Sequence, residues 1–85
     1  MDLTNKETRV AVMSIIVEDQ KSAVEINNIL HENATFIIGR MGIPYRDKGI
    51  NVISIVLDAP MDAISAVSGK IGNLPGVNVK TIYSN

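Results

Sequence analysis

Apolar positions along the chain follow two rhythms, one of strands and one of helices. Arg9–Val17 is rich in β-branched residues and apolar on both parities, the signature of a strand covered on both sides. Glu18 and Asp19 interrupt it. Over residues 20–33 the period becomes helical: Ala23, Ile26, Ile29 and Leu30 share one face, with Lys21, Glu25 and Glu32 away from it. Residues 35–43 form a second strand containing Gly39 and Gly42, residues 44–49 a polar turn, and residues 50–57 a third strand. Asp58-Ala59-Pro60 opens a second helix, proline being suited to a first turn, and its apolar stripe runs Pro60, Ile64, Val67, Ile71, Leu74. Pro75-Gly76 makes a turn before a last strand over Val77–Tyr83.

This order, βαββαβ, predicts an α+β, ferredoxin-like sandwich: a four-stranded antiparallel sheet with two helices on one face. Right-handed crossovers place the first and third strands side by side in the middle. Because side chains alternate along a strand, Met13, Ile15, Ile53, Ile55 and Leu57 suit the helix-facing side. The opposite face then carries Val10, Val12, Ser14 and Ile16 from the first strand. Unbroken alternation adds Phe36, Ile38 and Arg40 from the second and Val52, Ser54 and Val56 from the third. A face open to water is mostly polar, whereas this one is mostly Val, Ile and Phe, which predicts burial against a second copy in a dimer or tetramer built through sheet faces or edges. The outward positions of the second helix, Ser65, Ser68, Gly69 and Gly72, are small enough for close approach by a neighbour, or mark a helix end with a glycine stop.

Composition mainly removes candidates. Eighty-five residues make one small domain over 9–85, with a polar, unpatterned flexible end over 1–8. No 18-residue apolar run spans a membrane and no charged-then-apolar leader opens the sequence, so a cytoplasmic protein is expected. With no cysteine, disulfides, thiolate zinc sites and cysteine nucleophiles are excluded. A net charge of −1 gives no global basic field for nucleic acid. The single histidine, His31, lies on the flank of the first helix, where solvation is the ordinary role, and no metal site is assigned. Neither GxSxG nor HExxH occurs, and Gly69-Lys70-Ile71-Gly72 lacks the spacing of a phosphate loop, so no enzyme is expected.

The most distinctive stretch is 39–49. Two glycines within a strand suggest a bulge or a close approach by a backbone or ligand. Arg40, placed on the apolar outer face near Ser14 and Ser54, needs a partner: either a bound anion gripped by the guanidinium and the two hydroxyls, or a carboxylate of a second copy. Tyr45, Arg46 and Lys48 form a basic-aromatic cluster that suits a phosphate or a stacked base, with Asp47 between the cations; a solvated turn is the alternative. Glu18 and Asp19 at the strand-to-helix junction suit helix capping, or hydrogen bonding to a ligand.

The run Ile38-Gly-Arg-Met-Gly-Ile-Pro-Tyr45 resembles the family of small iron-only hydrogenase system regulators. Val10-Ala-Val-Met-Ser-Ile-Ile-Val-Glu-Asp19, Ile53-Ser-Ile-Val-Leu-Asp-Ala-Pro60, Ser68-Gly-Lys-Ile-Gly72 and Leu74-Pro-Gly-Val-Asn-Val-Lys80 fit as well, so the likeness covers nearly everything from Thr8 onward. It implies a stand-alone ACT-like domain, similar to the C-terminal domain of nickel-responsive repressors. It further implies oligomers built through the sheets and a role in regulating hydrogenase expression or assembly. Those repressors hold nickel with several histidines and a cysteine; His31 alone does not reproduce that set. Only about eight residues precede the first strand, so no DNA-reading element is evident there and direct DNA binding is not expected without a partner. The reading is a non-enzymatic, ligand-sensing regulatory domain acting as a homo-oligomer. Its binding residues are Ser14, Arg40, Gly42, Tyr45 and Arg46, with Glu18 and Asp19 secondary, and its effector is a small anion or an amino acid. The alternative is an adaptor or assembly protein that binds another polypeptide through its sheet face or second helix.

Overall fold

The computed structural model describes residues 7–84. Its elements are β1 (Arg9–Val17), α1 (Gln20–Glu32), a 3₁₀ turn (Ala34–Phe36), β2 (Ile37–Tyr45), a second 3₁₀ turn (Arg46–Lys48), β3 (Ile50–Ala59), α2 (Met61–Gly72) and β4 (Val77–Tyr83). The strands form one sheet in the order β2-β3-β1-β4, every neighbouring pair antiparallel. This is the predicted ferredoxin-like arrangement, and the bounds of β1 and β4 are those of the sequence pattern. The expected flexible end over 1–8 lies, for residues 1–6, outside the described residues.

One side of the sheet carries the core. Met13, Ile15, Ile55 and Leu57 are fully buried against Ile26 and Leu30 of α1 and Ile64, Val67 and Ile71 of α2. The helices stand where their apolar stripes require. Asp19 caps α1, its carboxylate accepting from the Lys21 N–H at 2.9 Å. Pro60 sits one position earlier than expected, as the N-cap of α2, because β3 runs on to Ala59.

The β1–α1 junction is tied to the turn between α2 and β4. The Glu18 N–H donates to the Gly76 carbonyl at 2.7 Å, and the buried Ser22 hydroxyl donates to the Pro75 carbonyl at 2.6 Å. Ser22→Ala leaves that carbonyl without its partner. The expected loss of unfolding free energy, read by urea denaturation, is about 1–2 kcal/mol.

β2 departs from the sequence reading. Ile37 pairs with Leu57, but Gly39 already pairs with Val56, so one extra residue is accommodated between them. From there the parity is inverted: Arg40 stands opposite Ile55, Met41 opposite Ser54, Gly42 opposite Ile53 and Ile43 opposite Val52. Because Ile55 and Ile53 face the helices, Arg40 and Gly42 do too. Arg40 is therefore not on the outer face with Ser14 and Ser54. Phe36, also expected there, belongs to the 3₁₀ turn and packs against the core, and Ile38 falls within the bulge.

The open face keeps Val10, Val12, Ser14 and Ile16 of β1, with Val52, Ser54 and Val56 of β3 paired beside them. Met41 and Ile43 take the places expected for Phe36, Ile38 and Arg40, and Ile82 of β4 lies beside Val12. Ile82 is 70% exposed and Met41 56% exposed. The charges within this register are Asp58, opposite Val10, and Lys80, opposite Ser14. The corrected face has lost its arginine and is more apolar at its centre than the sequence suggested.

Candidate functional site: a groove between the first helix and the edge strand

The bulge explains a groove as well as a misplaced arginine. On its helix-facing side β2 presents Arg40, Gly42 and Pro44, which supply no large aliphatic side chain to meet α1. Opposite them α1 presents Gln20, Ala23, Val24 and Asn27, at i, i+3, i+4 and i+7 on one face. The unfilled space measures about 390 Å³, with Asn51 and Ile53 of β3 in its wall. That volume lies within the range of small-ligand sites.

Arg40 NH2 donates to the Asn27 side-chain oxygen at 2.8 Å. This is its one hydrogen-bond partner among the described residues, and a guanidinium carries five donors in a planar fork. No Asp or Glu lines the groove. Its polar groups are one cation and the amides of Gln20, Asn27 and Asn51. Gly42 has no neighbour within 4 Å of where a Cβ would stand, so a side chain there would enter the open space.

A second hollow of about 350 Å³ shares Gln20, Pro44 and Asn51 with the first and continues towards the β2–β3 hairpin, where Tyr45 and Arg46 line it. The hairpin closes on the Arg46–Lys48 turn, with the Gly49 N–H donating to the Arg46 carbonyl at 3.1 Å and Gly49 at φ 64°.

Arg40 and Gly42 of the first hollow and Tyr45 and Arg46 of the second are thus brought along a trough of two adjoining hollows that share Gln20, Pro44 and Asn51. Ser14 is not, since it lies on the opposite face of the sheet. Glu18 and Asp19 are engaged through the backbone and cap contacts already described, at the junction beside Gly76, although Gln20 immediately after them enters the trough. Asn27, Gln20 and Asn51 were not singled out from the sequence. Their signal was available in part: Val24 is an apolar residue between Gln20 and Asn27 on one helix face outside the core stripe, and the structure leaves it 60% exposed. His31 is exposed in the last turn of α1. Among the described residues, no group of three or more His, Cys, Asp or Glu side chains comes together to hold a metal. No helix among them is long and apolar enough to cross a membrane.

A sheet in this order with both helices on one face defines the ferredoxin-like α+β class. Within it, residues 9–81 match the TM1266-like, iron-only hydrogenase system regulator family, and the chain belongs to that family. It is 35% identical to the protein TM1266 from Thermotoga maritima, with a TM-score of 0.89 over 93% of this chain and all of that one. The C-terminal domain of the MgtC protein from Mycobacterium tuberculosis shares the fold, with a TM-score of 0.71 at 11% identity over 96% of this chain and 94% of that domain. A formyltetrahydrofolate deformylase from Pseudomonas putida KT2440 contains a similar unit, with a TM-score of 0.64 at 11% identity over 86% of this chain and 28% of the deformylase. At that identity the last two speak to the fold alone. No curated protein matches the chain.

Proposed function

We propose that this chain is a non-enzymatic, cytoplasmic regulatory domain of the hydrogenase system that senses a small ligand in the groove between α1 and β2 and works as a homo-oligomer joined through its open sheet face. The observation that carries the reading is Arg40. It is a guanidinium at a groove of ligand size, held in place by one amide, with no carboxylate lining the space. Family membership supports regulation rather than turnover.

Strand β2 connects the two halves of the proposal. Arg40 and Gly42 face the groove, while Met41 and Ile43, interleaved with them, face the open side. A ligand that bound one setting of β2 more tightly would bias how the open faces meet, which is the differential affinity that regulation requires. Tyr45 and Arg46 extend the site towards the hairpin. Glu18 and Asp19 take a supporting role through the start of α1.

The expected result is a thermal shift on addition of a small anion from a panel of organic acids, amino acids, nucleotides and metal ions. The shift is lost in Arg40→Ala and weakened in Gly42→Val, which narrows the groove and leaves the guanidinium in place. Gly42 has room for a side chain and no positive φ, so the second variant is expected to fold, which circular dichroism checks. A blank panel together with one stoichiometric protein partner would favour the adaptor reading instead.

A further inference from the structure

Resting on that reading, we infer that the groove selects a small carboxylic acid bearing no ammonium group, such as a 2-oxo acid, over the corresponding amino acid. An amino acid brings two opposite charges. Its carboxylate finds the free donors of Arg40, but its ammonium needs a carboxylate or a ring of carbonyl oxygens to replace lost water. Neither hollow of the trough has an Asp or Glu in its wall, and together they hold two cations, Arg40 and Arg46. An ammonium entering this field is repelled by both.

The remaining polar groups fit a neutral second function. Asn27 already accepts from Arg40, which turns its amide N–H₂ away from the guanidinium and leaves it to donate. Gln20 and Asn51 each bring a further amide donor. A keto oxygen accepts from such groups without adding charge. Ala23, Val24 and Ile53 supply apolar wall for a short carbon chain. The groove itself holds one cation, which balances one carboxylate. Phosphate, a mixture of monoanion and dianion at neutral pH, carries as the dianion a second charge that would need Arg46 to move in from the adjoining hollow.

Paired probes test this. Pyruvate against alanine, and 2-oxobutyrate against 2-aminobutyrate, are titrated into the full chain while the amide resonances of Gly42 and Gly49 are followed by two-dimensional NMR, with inorganic phosphate as a third arm. The oxo acids are expected to bind at least ten times more tightly than their amino acids and than phosphate. They should shift Gly42 more than Gly49 and lose at least tenfold in affinity in Arg40→Gln. Equal or tighter binding by the amino acids overturns the inference and leaves the ligand-sensing reading standing. Equal binding by phosphate overturns it too, marking an unselective anion site. Silence from every probe at millimolar concentration, in a chain whose spectrum is that of a folded protein, removes both.

Discussion

A Val56→Asp chain is expected to sediment as a 9.2 kDa monomer at concentrations where the parent chain self-associates. Val56 lies near the middle of the open face, paired with Val12 on one side and Gly39 on the other. Its replacement puts a carboxylate, flanked by the uncharged Val12 and Gly39, into whatever covers that face, and Asp58, two residues along the same side of β3, adds repulsion. In a twofold pairing each copy brings one such charge. An unpaired charge desolvated at an interface costs about 3–5 kcal/mol, so dimer affinity should fall by at least about a hundredfold. In the lone chain the new side chain faces water, and the helix-side core is untouched. Circular dichroism should therefore show a folded monomer, destabilised by no more than about 1 kcal/mol. Sedimentation equilibrium on both chains decides the matter. A parent chain that is already a 9.2 kDa monomer at micromolar concentration removes the covered-face reading, and so does a Val56→Asp variant that assembles as the parent does.

The strands and helices were legible because their signals are local. In β1 and β3 an unbroken alternation assigns each residue to a face, and pairing keeps Val12 beside Val56 and Met13 beside Ile55 from end to end. The apolar stripes of α1 and α2 leave one way to turn. β2 was legible only in part. Gly39 and Gly42 advertised an irregularity, but a bulge of one residue is invisible to periodicity, and one residue is enough to move every later side chain to the other face. Arg40 thereby changed from an isolated charge on an apolar surface to a cation at a groove. Asn27 and Asn51 read as ordinary polar positions until that register was known. The long-range ties were equally silent: nothing near Ser22 in sequence announces Pro75 as its partner.

The same tie makes Gly76 the position where a small change should cost most in folding. Gly76 is held at φ 67°, in the left-handed region that disfavours a Cβ, while its carbonyl accepts from the Glu18 N–H. A Cβ built there would lie 3.2 Å from the Asp19 Cβ and 3.3 Å from the Asp19 nitrogen. The second neighbour is backbone, fixed by the start of α1, and yields only if the junction moves. Gly49 offers an internal comparison, since φ is 64° but nothing lies within 4 Å of its Cβ position. Gly49→Ala should therefore lose about 1 kcal/mol, the conformational part alone. Gly76→Ala adds the displacement of the β1–α1 junction from the α2–β4 turn and should lose about 2–3 kcal/mol. For a domain of this size a total stability of roughly 4–13 kcal/mol is usual, so the second variant gives up a large share of it. Its melting temperature should fall by about 10–20 °C, two to three times the drop for Gly49→Ala. Urea denaturation of the two variants side by side checks the difference. Equal losses would mean that the close approach of Gly76 to Asp19 does not hold the two junctions together, and the Glu18–Gly76 and Ser22–Pro75 hydrogen bonds would then carry that role alone.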